Sequence, residues 1–323
     1  MIFINNNGSF DPAINLAIEE YTVRNLDIQE NYCFLYRNKP CIVIGKNQNL
    51  YEEVNYKFIY ENNIPVYRRI SGGGTVYHDE NNLNFSFLTK FQSRKFNKYE
   101  QFTSPIVGAL VGLGVNAYLN ERNDIYADGK KISGNAQFTS RNRMISHGTL
   151  LFDADLNVLR NSLRANPEKF ESKSSKSVKS SVANVKDYIG NSLEIEEFTR
   201  IIAKAIADES GYFGEYHFGK REWTEIKKLA EEKYSSFEWN YGRSPAFVFR
   251  NRIVSGSESF RTEIMVSNGC IDKIKLESSH NELEEIGSLL TGCRFNWNDV
   301  LDKVEKISGN RISKEVLFEL LFT

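Results

Sequence analysis

Apolar residues recur along the chain with a helical period in some stretches and a period of two in others, which predicts a mixed α and β fold. The first helix is predicted to begin at Asp11-Pro12, with Asp11 as the N-cap and Pro12 in the first turn. We expect Glu19 and Glu20 of this helix to contact solvent. Its apolar face is made by residues at helical spacing: Ala13, Ile14, Ala17, Ile18 and Tyr21.

Two short apolar runs follow at Tyr32–Tyr36 and Cys41–Ile44, and residues 38–40 (Asn-Lys-Pro) separate them. This pattern predicts a β-hairpin. Residues 51–62 then have the spacing of an amphipathic helix, and residues 65–69 are predicted to form a strand.

Three consecutive glycines, Gly72, Gly73 and Gly74, lie between two predicted strands. The strand after them, at residues 83–87, alternates apolar and polar side chains, which predicts that it is half-buried. The Rossmann turn and the P-loop both need a glycine turn that opens a helix. Neither motif therefore fits this glycine loop.

A second hairpin is predicted at Asp128-Gly129, a dipeptide that favours two-residue turns. Its strands are expected at residues 125–127 and 131–138. Alternation along the second strand predicts one face with Lys131, Ser133 and Asn135 and an opposite face with Ile132 and Gly134.

The rest of the chain predicts a division into two domains. Gly242 and Pro245, close to the polar stretch 235–244, mark the best boundary. We therefore expect a large domain over residues 1–243 and a small α+β domain over residues 244–323. Further helices are predicted over residues 102–113, 155–163, 193–209, 222–233, 281–290 and 313–322, and further strands over 115–119, 146–152, 246–254, 260–266 and 270–276.

Residues 172–186 differ in composition from the rest of the chain. They are rich in serine, contain Lys173, Lys176, Lys179 and Lys186, and have no acidic residue. Few large apolar side chains are present to hold this segment. We expect a disordered basic loop that becomes ordered when a phosphate group binds.

Composition and charge exclude several classes of protein. With 323 residues, 41% of them hydrophobic and 26% charged, the chain has the composition of an ordinary globular protein. Its formal net charge of −1 gives no overall attraction to nucleic acid or to an anionic membrane. The absence of a long apolar run and of a signal peptide predicts a cytoplasmic protein. The cysteines lack CxxC spacing and are expected to be packing residues: Cys33, Cys41, Cys270 and Cys293.

The glycine loop is a candidate anion site because of its neighbours. Arg68 and Arg69 precede it, and His78 and Asp79 follow it. Glycines let a ligand approach main-chain N–H donors, and guanidinium groups pair with phosphate or carboxylate. Lys131 could also reach a bound anion from its strand. A flexible turn and a solvated edge-strand lysine are the alternatives for these two features.

Several segments, taken in order, resemble lipoate–protein ligases. The most specific combination is Arg-Arg-Ile-Ser-Gly-Gly-Gly at 68–74, followed by Lys-Lys-Ile-Ser-Gly at 130–134. The resemblance covers essentially the whole chain, including the small C-terminal part. The matching segments are residues 11–20, 68–79, 122–124, 129–136 and 147–152.

This resemblance implies an α/β (α+β) fold. The large catalytic domain, with a bent, mostly antiparallel sheet flanked by helices, would bind lipoate and ATP, and a small C-terminal α+β accessory domain would follow. It implies that lipoate and ATP give lipoyl-AMP and pyrophosphate, and that the lipoyl group then passes to a lysine of an acceptor. The implied cofactors are ATP and Mg²⁺. The implied acceptors are lipoyl domains of 2-oxoacid dehydrogenase E2 subunits and the glycine cleavage H protein. Octanoate, a carboxylate on an apolar chain of similar length, remains an alternative substrate.

The resemblance also implies roles for individual residues. Lys131 would bridge the lipoate carboxylate and the α-phosphate, and Arg69 would contact both ligands. Residues 172–186 would cover the adenylate, and Asp124 is a candidate Mg²⁺ ligand. The remaining adenylate-binding residues would be Gly74, Thr75, Val76, Tyr77, Asn123 and Asp124. The remaining lipoate-binding residues would be Ser71, Gly72, Gly73, Gly134 and His147, with His78 as a further polar contact. A purely structural role is the alternative for both histidines.

Three other functions compete with this interpretation. An octanoyl- or lipoyl-transferase that works through an acyl-enzyme needs a reactive cysteine, and no cysteine lies near Lys131 or His147 in the sequence. A biotin ligase fits less well, because the glycine loop has the lipoate-type sequence and no N-terminal helix-turn-helix is present. A non-catalytic lipoate-binding protein would have little need of the phosphate site at Lys131 and Arg69.

Overall fold

The computed structural model describes residues 1–27, 29–93, 96–178, 180–189, 193–212, 214–278, 282–306 and 312–323, so that Lys179 and Asn281 of the predicted segments lie outside the described residues. Its helices are α1 (Pro12–Asn25), α2 (Leu50–Glu53), α3 (Tyr56–Glu61), α4 (Glu100–Gly112), α5 (Leu156–Ser162), α6 (Lys186–Ile189), α7 (Ile195–Ser210), α8 (Lys220–Leu229), α9 (Glu282–Leu290), α10 (Trp297–Val304) and α11 (Lys314–Phe322). Its strands are β1 (Ile2–Asn5), β2 (Tyr32–Tyr36), β3 (Cys41–Ile44), β4 (Val66–Arg68), β5 (Val76–His78), β6 (Asn82–Lys90), β7 (Ala117–Leu119), β8 (Ile125–Ala127), β9 (Lys130–Ser140), β10 (Arg143–Leu151), β11 (Phe170–Ser172), β12 (Glu215–His217), β13 (Phe247–Ser255), β14 (Glu258–Ser267) and β15 (Cys270–Glu277). Within the described ranges, every helix is too short or too polar to cross a membrane.

Contacts divide the described chain into two compact units. Unit 1 consists of Met1–Lys46, Val66–Leu159 and Val178–Ser235, and unit 2 consists of Asn47–Pro65, Arg160–Ser177 and Ser236–Thr323. Unit 2 therefore gathers two earlier segments together with the C-terminal part. The glycine loop, Lys131 and His147 all lie in unit 1. The division into residues 1–243 and 244–323 stays a prediction.

Unit 1 contains an eight-stranded sheet in the order β12-β1-β2-β6-β10-β9-β8-β7. β1 runs parallel to β12 and β2, whereas the other neighbouring strands are antiparallel. Helices α4 and α7 supply Phe102, Ile106 and Phe198 to a core that also contains Phe85 and Leu150 of the sheet. The predicted fold class, a mostly antiparallel sheet flanked by helices, is confirmed.

The central strand β6 is buried on both faces, so the prediction that residues 83–87 are half-buried is wrong. Asn82, Asn84 and Ser86 are at most 1% exposed. Helix α1 contacts this strand and its neighbour β10. Asn84 Nδ2 donates to the carbonyl oxygen of Tyr36 at 3.3 Å, and Asn82 Oδ1 accepts from Thr149 at 2.7 Å. Hydrogen bonds to neighbouring strands make this polar face compatible with burial.

The runs Tyr32–Tyr36 and Cys41–Ile44 are strands with the predicted bounds, but they do not form a hairpin. β2 belongs to the eight-stranded sheet, whereas β3 is the middle strand of a separate three-stranded sheet in the order β4-β3-β5. Between them, Lys39 N–H donates to the carbonyl oxygen of Phe10 at 2.9 Å. Asn15 Nδ2 also donates to the carbonyl oxygen of Arg37 at 3.1 Å. These bonds tie the connection to the start of α1 instead of closing a turn.

The single helix predicted over residues 51–62 is two short helices, α2 and α3, in unit 2. Asn49 and Asn55 each act as an N-cap: the Asn49 side chain accepts from Tyr51 N–H, and the Asn55 side chain accepts from Phe58 N–H. An asparagine favours the start of a helix over its interior, because its side chain satisfies an otherwise unpaired N–H group. The second cap therefore breaks the apolar pattern into two helices.

Unit 2 is built around a four-stranded antiparallel sheet in the order β11-β13-β14-β15. Asn268 and Gly269 form the tight turn between β14 and β15, with positive φ angles of 50° and 73°. Aromatic rings form much of the core of unit 2, with Tyr51 and Phe322 both within 5 Å of the Phe295 ring centroid. Strands β1, β5, β11 and β12 and helices α6 and α10 had no prediction, and all of these strands and α6 are at most four residues long.

Candidate functional site

The glycine loop joins β4 to β5, which pair with opposite edges of β3. Arg69 N–H donates to the carbonyl oxygen of Ile44 at 3.0 Å, and Lys46 N–H donates to that of Ser71 at 2.8 Å. The loop lies between two strands as predicted, but the strand that follows it is β5 and not the predicted strand at residues 83–87. The first half of the loop is thus fixed against the end of β3.

Arg69 directs its guanidinium group back into the loop. Its Nη2 donates to the carbonyl oxygens of Gly72 and Gly74, each at 2.7 Å. Its Nε donates to Ser71 Oγ at 3.0 Å, and its Nη1 donates to the carbonyl oxygen of Val43 at 3.1 Å. The side chain therefore fixes the shape of the loop by binding its carbonyl groups.

The buried charge of Arg69 affects both its pKa and the neighbouring glycine. Burial lowers the pKa of Arg69 to about 10, although the negative charge of Glu19 raises it in part. The group is therefore still charged at neutral pH. Gly73 has a φ of +90°, and a Cβ atom there would lie 2.9 Å from Arg69 Nη2 and 3.5 Å from Ala136 Cβ. Only glycine fits this position without strain.

The other residues predicted to bind the nucleotide continue the loop into β5. Gly72 faces open space, because a Cβ atom there would meet nothing within 4 Å. Thr75 is 9% exposed and Tyr77 is 3% exposed, whereas Val76 is partly exposed. The main chain of the loop is therefore accessible at Gly72 and Val76, whereas the side chains of Thr75 and Tyr77 are buried.

Lys131 lies near the start of β9 and pairs with Asp124. The Nζ atom of Lys131 is 2.9 Å from Asp124 Oδ2, and the two side chains are 25% and 15% exposed. Both groups are thus accessible to a ligand while they neutralise each other. The ion pair with Asp124 fixes the Lys131 ammonium group at one place on the sheet.

A bulge changes the faces that the alternation predicted for β9. Ile125 pairs with Ser133, whereas Tyr126 pairs with Lys131, so Ile132 is an extra residue in the strand. A Cβ atom at Gly134 would lie 3.1 Å from Lys131 Nζ and 3.8 Å from Asp124 Oδ1. The prediction that Lys131 and Gly134 lie on opposite faces is wrong, because the extra residue reverses the alternation after it. The Asp128-Gly129 turn itself is confirmed by φ angles of 45° and 77°.

Asn123 and Asn135 hold the segment that carries Asp124. Asn135 Nδ2 donates to the carbonyl oxygen of Asn123 at 2.7 Å. Asn123 has a φ of 65°, and Asp124 N–H donates to Asn120 Oδ1 at 2.9 Å. These bonds place the Asp124 carboxylate beside Lys131.

Ser71, His147 and Glu19 form a buried chain of hydrogen bonds. His147 Nε2 is 2.8 Å from Ser71 Oγ, and His147 Nδ1 is 3.0 Å from Glu19 Oε1. Because a carboxylate accepts hydrogen bonds, Nδ1 carries the proton that faces Glu19. Ala136, which would contact a Cβ atom at Gly73, pairs with His147 across β9 and β10. The structure thus brings the glycine loop and His147 together.

The prediction that Glu19 and Glu20 contact solvent is wrong, since they are 1% and 3% exposed. Glu19 reaches His147, which is 128 residues away in the sequence. Glu20 Oε2 lies 2.6 Å from Lys233 Nζ and also accepts from Tyr234 at 2.6 Å. A pair of carboxylates inside an apolar helix was the available signal, but partners so distant in sequence could not be identified from it.

His78 is a second buried histidine, and its ring is neutral. Burial lowers its pKa to about 3, and the neighbouring Arg69 and His147 act in the same direction. Asn38 Nδ2 lies 3.0 Å from His78 Nδ1, and Asn38 Oδ1 accepts from Asn15 at 2.9 Å. Since Asn38 donates, Nδ1 accepts and the proton is on Nε2.

The second half of the serine–lysine segment, residues 181–186, is ordered, which contradicts the predicted disorder. Lys131 N–H donates to the carbonyl oxygen of Ser181 at 2.9 Å, and Ala183 N–H donates to that of Lys131 at 3.1 Å. Ala183 and Val185 are 2% and 0% exposed and belong to the core of unit 1. The burial of these small apolar residues and the hydrogen bonds to the main chain of Lys131 hold the segment in place.

The buried cysteines of unit 1 are unsuited to nucleophilic chemistry. Cys33 and Cys41 are 0% exposed, and burial raises the pKa of both thiols. A thiol is reactive as the thiolate, which this environment disfavours. Among the described residues no group of three or more His, Cys, Asp or Glu side chains could by itself hold a metal ion.

This chain is similar to the same kind of known protein in its sequence and in its structure. Residues 11–207 match the family model of the lipoyl protein ligase A/B catalytic domain. A Bacillus subtilis lipoate-protein ligase is 41% identical over 332 aligned residues, covering 100% of both chains. Protein Ta0514 of T. acidophilum with bound lipoic acid has a TM-score of 0.64 and 26% identity, covering 75% of this chain and 98% of that one. A lipoate-protein ligase A structure bound with ATP gives the same values, with a TM-score of 0.64 and 26% identity over 75% of this chain and 98% of its own.

Proposed function

This chain belongs to the lipoate–protein ligase family, and on that premise we propose that it activates lipoate with ATP and transfers the lipoyl group to a lysine of an acceptor protein. The observation that carries the proposal is Lys131, which Asp124 holds at 2.9 Å in a partly open position beside Gly134. A binding protein for lipoate alone would have little need of this exposed ammonium group.

In the first step, a carboxylate oxygen of lipoate attacks the α-phosphorus of ATP. The new O–P bond forms lipoyl-AMP as the bond to the bridging oxygen breaks and pyrophosphate leaves. Two anions must approach each other, so catalysis depends on positioning and on neutralising charge. Lys131 supplies a positive charge that can exchange its bond with Asp124 for bonds to the lipoate carboxylate and the α-phosphate.

We assign the adenylate to the loop and to the turn before β8. Gly74, Thr75, Val76 and Tyr77 would offer main-chain groups. Asn123 and Asp124 would contact the nucleotide from the other side. In this assignment Arg69 acts chiefly through the loop, because its donors already bind the carbonyl oxygens of Gly72 and Gly74. Its positive charge still favours an anionic ligand nearby.

The lipoyl chain is assigned to the space around the glycines. Gly72 leaves open space, and Gly134 keeps a side chain away from Lys131. Ser71 and His147 line the same region through their mutual hydrogen bond at 2.8 Å. His78 would add a neutral N–H donor. Octanoate presents the same carboxylate and a similar apolar chain, so it is a second substrate to test.

Asp124 is the residue that would hold Mg²⁺ together with phosphate oxygens of ATP. Protein sites for Mg²⁺ with nucleotides use one or two carboxylates, and the single carboxylate at Asp124 fits this pattern. When bound, the ion would neutralise charge on the phosphates. Lys131 pairs with Asp124 in the structure and would bind the substrate carboxylate in place of this partner.

In the second step, the acceptor lysine attacks the acyl carbon of lipoyl-AMP. A C–N bond forms, the C–O bond to AMP breaks and the amine loses a proton. The mixed anhydride is already activated, so no protein nucleophile is required. Lipoyl domains of 2-oxoacid dehydrogenase E2 subunits and the glycine cleavage H protein are the proposed acceptors, in the cytoplasm. We propose that residues 1–243 carry catalysis and that residues 244–323 are accessory.

The test is ATP–pyrophosphate exchange in the presence and absence of lipoate. Since adenylate formation is reversible, we expect labelled pyrophosphate to enter ATP only when lipoate is added. Titration with octanoate in the same assay ranks the two acids. Absence of exchange in the presence of lipoate, combined with acyl transfer from an acyl-carrier thioester, would refute the proposal and support an acyl-enzyme transferase. The buried, protonated Cys33 and Cys41 argue against that alternative.

A further inference from the structure

One face of β9, in unit 1, carries a row of residues whose side chains become larger with distance from Lys131. Gly134, Ala136 and Phe138, which we call the β9 row, are two residues apart, so they lie on the same face of the strand. The residues opposite them in β10 are Thr149, His147 and Ile145. The pairing is in register from Gly134 to Phe138, so the row stays on one face over its whole length.

The Lys131 ammonium group lies at one end of the β9 row. A Cβ atom at Gly134 would be 3.1 Å from Lys131 Nζ, which places this charge on the face that carries the row. Gly134 has no side chain and Ala136 has a single methyl group, so the face beyond the ammonium group has room for a narrow apolar chain. An acid whose carboxylate binds Lys131 can therefore direct its hydrocarbon tail along the strand.

The glycine loop borders the middle of the β9 row. A Cβ atom at Gly73 would lie 3.5 Å from Ala136 Cβ, so the main chain of the loop comes close to the strand at this point. Ser71 of the same loop is 2.8 Å from His147, which pairs with Ala136 across the sheet. Small side chains and main chain thus surround the middle of the row, where a bulky group would not fit.

Phe138 and Lys46 lie at the other end of the β9 row. The Phe138 ring is partly exposed, and Lys46 Nζ is 6.0 Å from its centroid. Lys46 N–H donates to the carbonyl oxygen of Ser71 at 2.8 Å, which holds this lysine to the glycine loop. The strand extends about 14 Å between Gly134 and Phe138, a length comparable to that of an extended eight-carbon acid in contact with both ends. The row therefore begins at a cation and ends at an aromatic ring.

We propose that the Phe138 ring contacts the distal end of the acyl chain and favours lipoate over octanoate. Both acids have a carboxylate and an apolar chain, but only lipoate carries two sulfur atoms on its distal carbons. Sulfur makes favourable contacts with the edge of an aromatic ring, worth about 2- to 10-fold in binding. A terminal methyl group makes only ordinary apolar contacts. The inference rests on the proposed function, because it takes the carboxylate to be bound at Lys131.

The test measures kcat/KM for lipoate and for octanoate in acid-dependent ATP–pyrophosphate exchange by the full-length protein. Phe138→Leu keeps an apolar side chain but removes the ring. In this variant we expect the ratio of lipoate to octanoate to fall by about 2- to 10-fold, through a higher KM for lipoate with kcat nearly unchanged. Phe138→Tyr keeps the ring and should retain the wild-type ratio. Tyr118→Leu is the matched control, because it removes a 45% exposed ring from β7 of the same sheet, and it should also retain the ratio.

A longer acid tests whether the Phe138 ring ends the row. Decanoate has two more CH₂ groups than octanoate, and Phe138→Ala would leave space for them where the ring had been. Because burial of one CH₂ group is worth about 4-fold in affinity, decanoate should gain about tenfold in kcat/KM relative to octanoate in this variant. An unchanged preference between these two acids would show that the tail does not end at Phe138.

The remaining outcomes separate this proposal from the proposed function. Equal losses for lipoate and octanoate in Phe138→Leu, or no loss for either acid, would overturn the role of the ring. Calorimetric titration gives the Kd of each acid without exchange. If the wild type shows no exchange with any acid, the proposed function fails. The ratio of the two Kd values, compared between wild type and Phe138→Leu, then still decides whether the ring recognises the sulfur-bearing end.

Discussion

Replacing Gly134 by alanine should slow adenylate formation without destabilising the protein. A Cβ atom at Gly134 would lie 3.1 Å from Lys131 Nζ and 3.2 Å from Lys131 Cε. Both distances are shorter than ordinary van der Waals contact between such atoms. The nearest atoms belong to the end of a flexible side chain, which can move away at little cost. The substitution should therefore displace the ammonium group and leave the fold intact.

The expected size of the effect follows from that displacement. Ordinary contact begins at about 3.4 Å, so the ammonium group must move by a few tenths of an ångström or rotate away. A misplacement of about 1 Å can reduce a reaction rate about 100-fold. A shift of a third to a half of that distance corresponds to a loss of about 5- to 10-fold, or about 0.9 to 1.4 kcal/mol in the activation free energy.

The assay is lipoate-dependent ATP–pyrophosphate exchange at saturating substrates, with thermal unfolding measured in parallel. Gly108→Ala is a matched control, because a Cβ atom at this glycine of α4 meets nothing within 4 Å. The control should keep its exchange rate. Exchange by Gly134→Ala at the wild-type rate would refute the assigned position of the Lys131 ammonium group. A lower unfolding midpoint in Gly134→Ala would show that the contact is not relieved by the lysine side chain alone.

Two further substitutions test the loop and the buried histidine. Arg69→Lys should lower the free energy of unfolding by about 2 kcal/mol or more and raise the KM for lipoate. Lysine cannot bind the carbonyl oxygens of Gly72 and Gly74 together with Ser71. Urea unfolding with the midpoint of the wild type would contradict this expectation. For His78, burial lowers the pKa from its ordinary value of 6.5 to about 3, so the unfolded chain binds a proton that the folded chain does not, and stability falls as the pH drops from 6.5 towards 3. In His78→Asn, the new Oδ1 can accept from Asn38. This variant should make the dependence of the unfolding free energy on pH shallower by up to about 1.4 kcal/mol per pH unit in this range. An unchanged slope, measured by urea unfolding at several pH values, would show that His78 is not the group responsible.

Local signals in the sequence identified most elements and the two chemical segments. Asp11 caps α1 through its side chain, as predicted, and accepts from Ala13 and Ile14. The Asp128-Gly129 turn also has the predicted positive φ angles, 45° and 77°. Both predictions depend on the conformational preferences of residues that are adjacent in the sequence, so they can be made without knowledge of distant contacts.

Predictions failed where a distant partner decides the structure. β2 and β3 are correct as strands, but their sheets are set by β6 in one case and by β4 and β5 in the other. Glu19 is buried because its carboxylate is hydrogen-bonded to His147, and no residue near Glu19 in the sequence indicates this partner. Local pattern shows that a strand or helix exists, whereas long-range contacts decide what it packs against.

The serine–lysine segment shows the same limit in another form. Its composition predicted disorder, because it contains few large apolar residues. In the structure, Glu52 and Glu53 supply the hydrogen bonds that its serines need, and Lys131 supplies main-chain partners. The bulge at Ile132 likewise follows from pairing with β8 and reverses the predicted faces of Lys131 and Gly134.

The central claim, that Lys131 joins lipoate and ATP in one adenylation site, is tested most directly by comparing wild type and Lys131→Ala. The measurement is formation of labelled ATP from labelled pyrophosphate with lipoate present, on proteins shown to have the same unfolding midpoint. Because the ammonium group neutralises the two approaching anions, we expect the exchange rate of the variant to fall by about 100-fold or more. Exchange in Lys131→Ala at close to the wild-type rate would contradict the account.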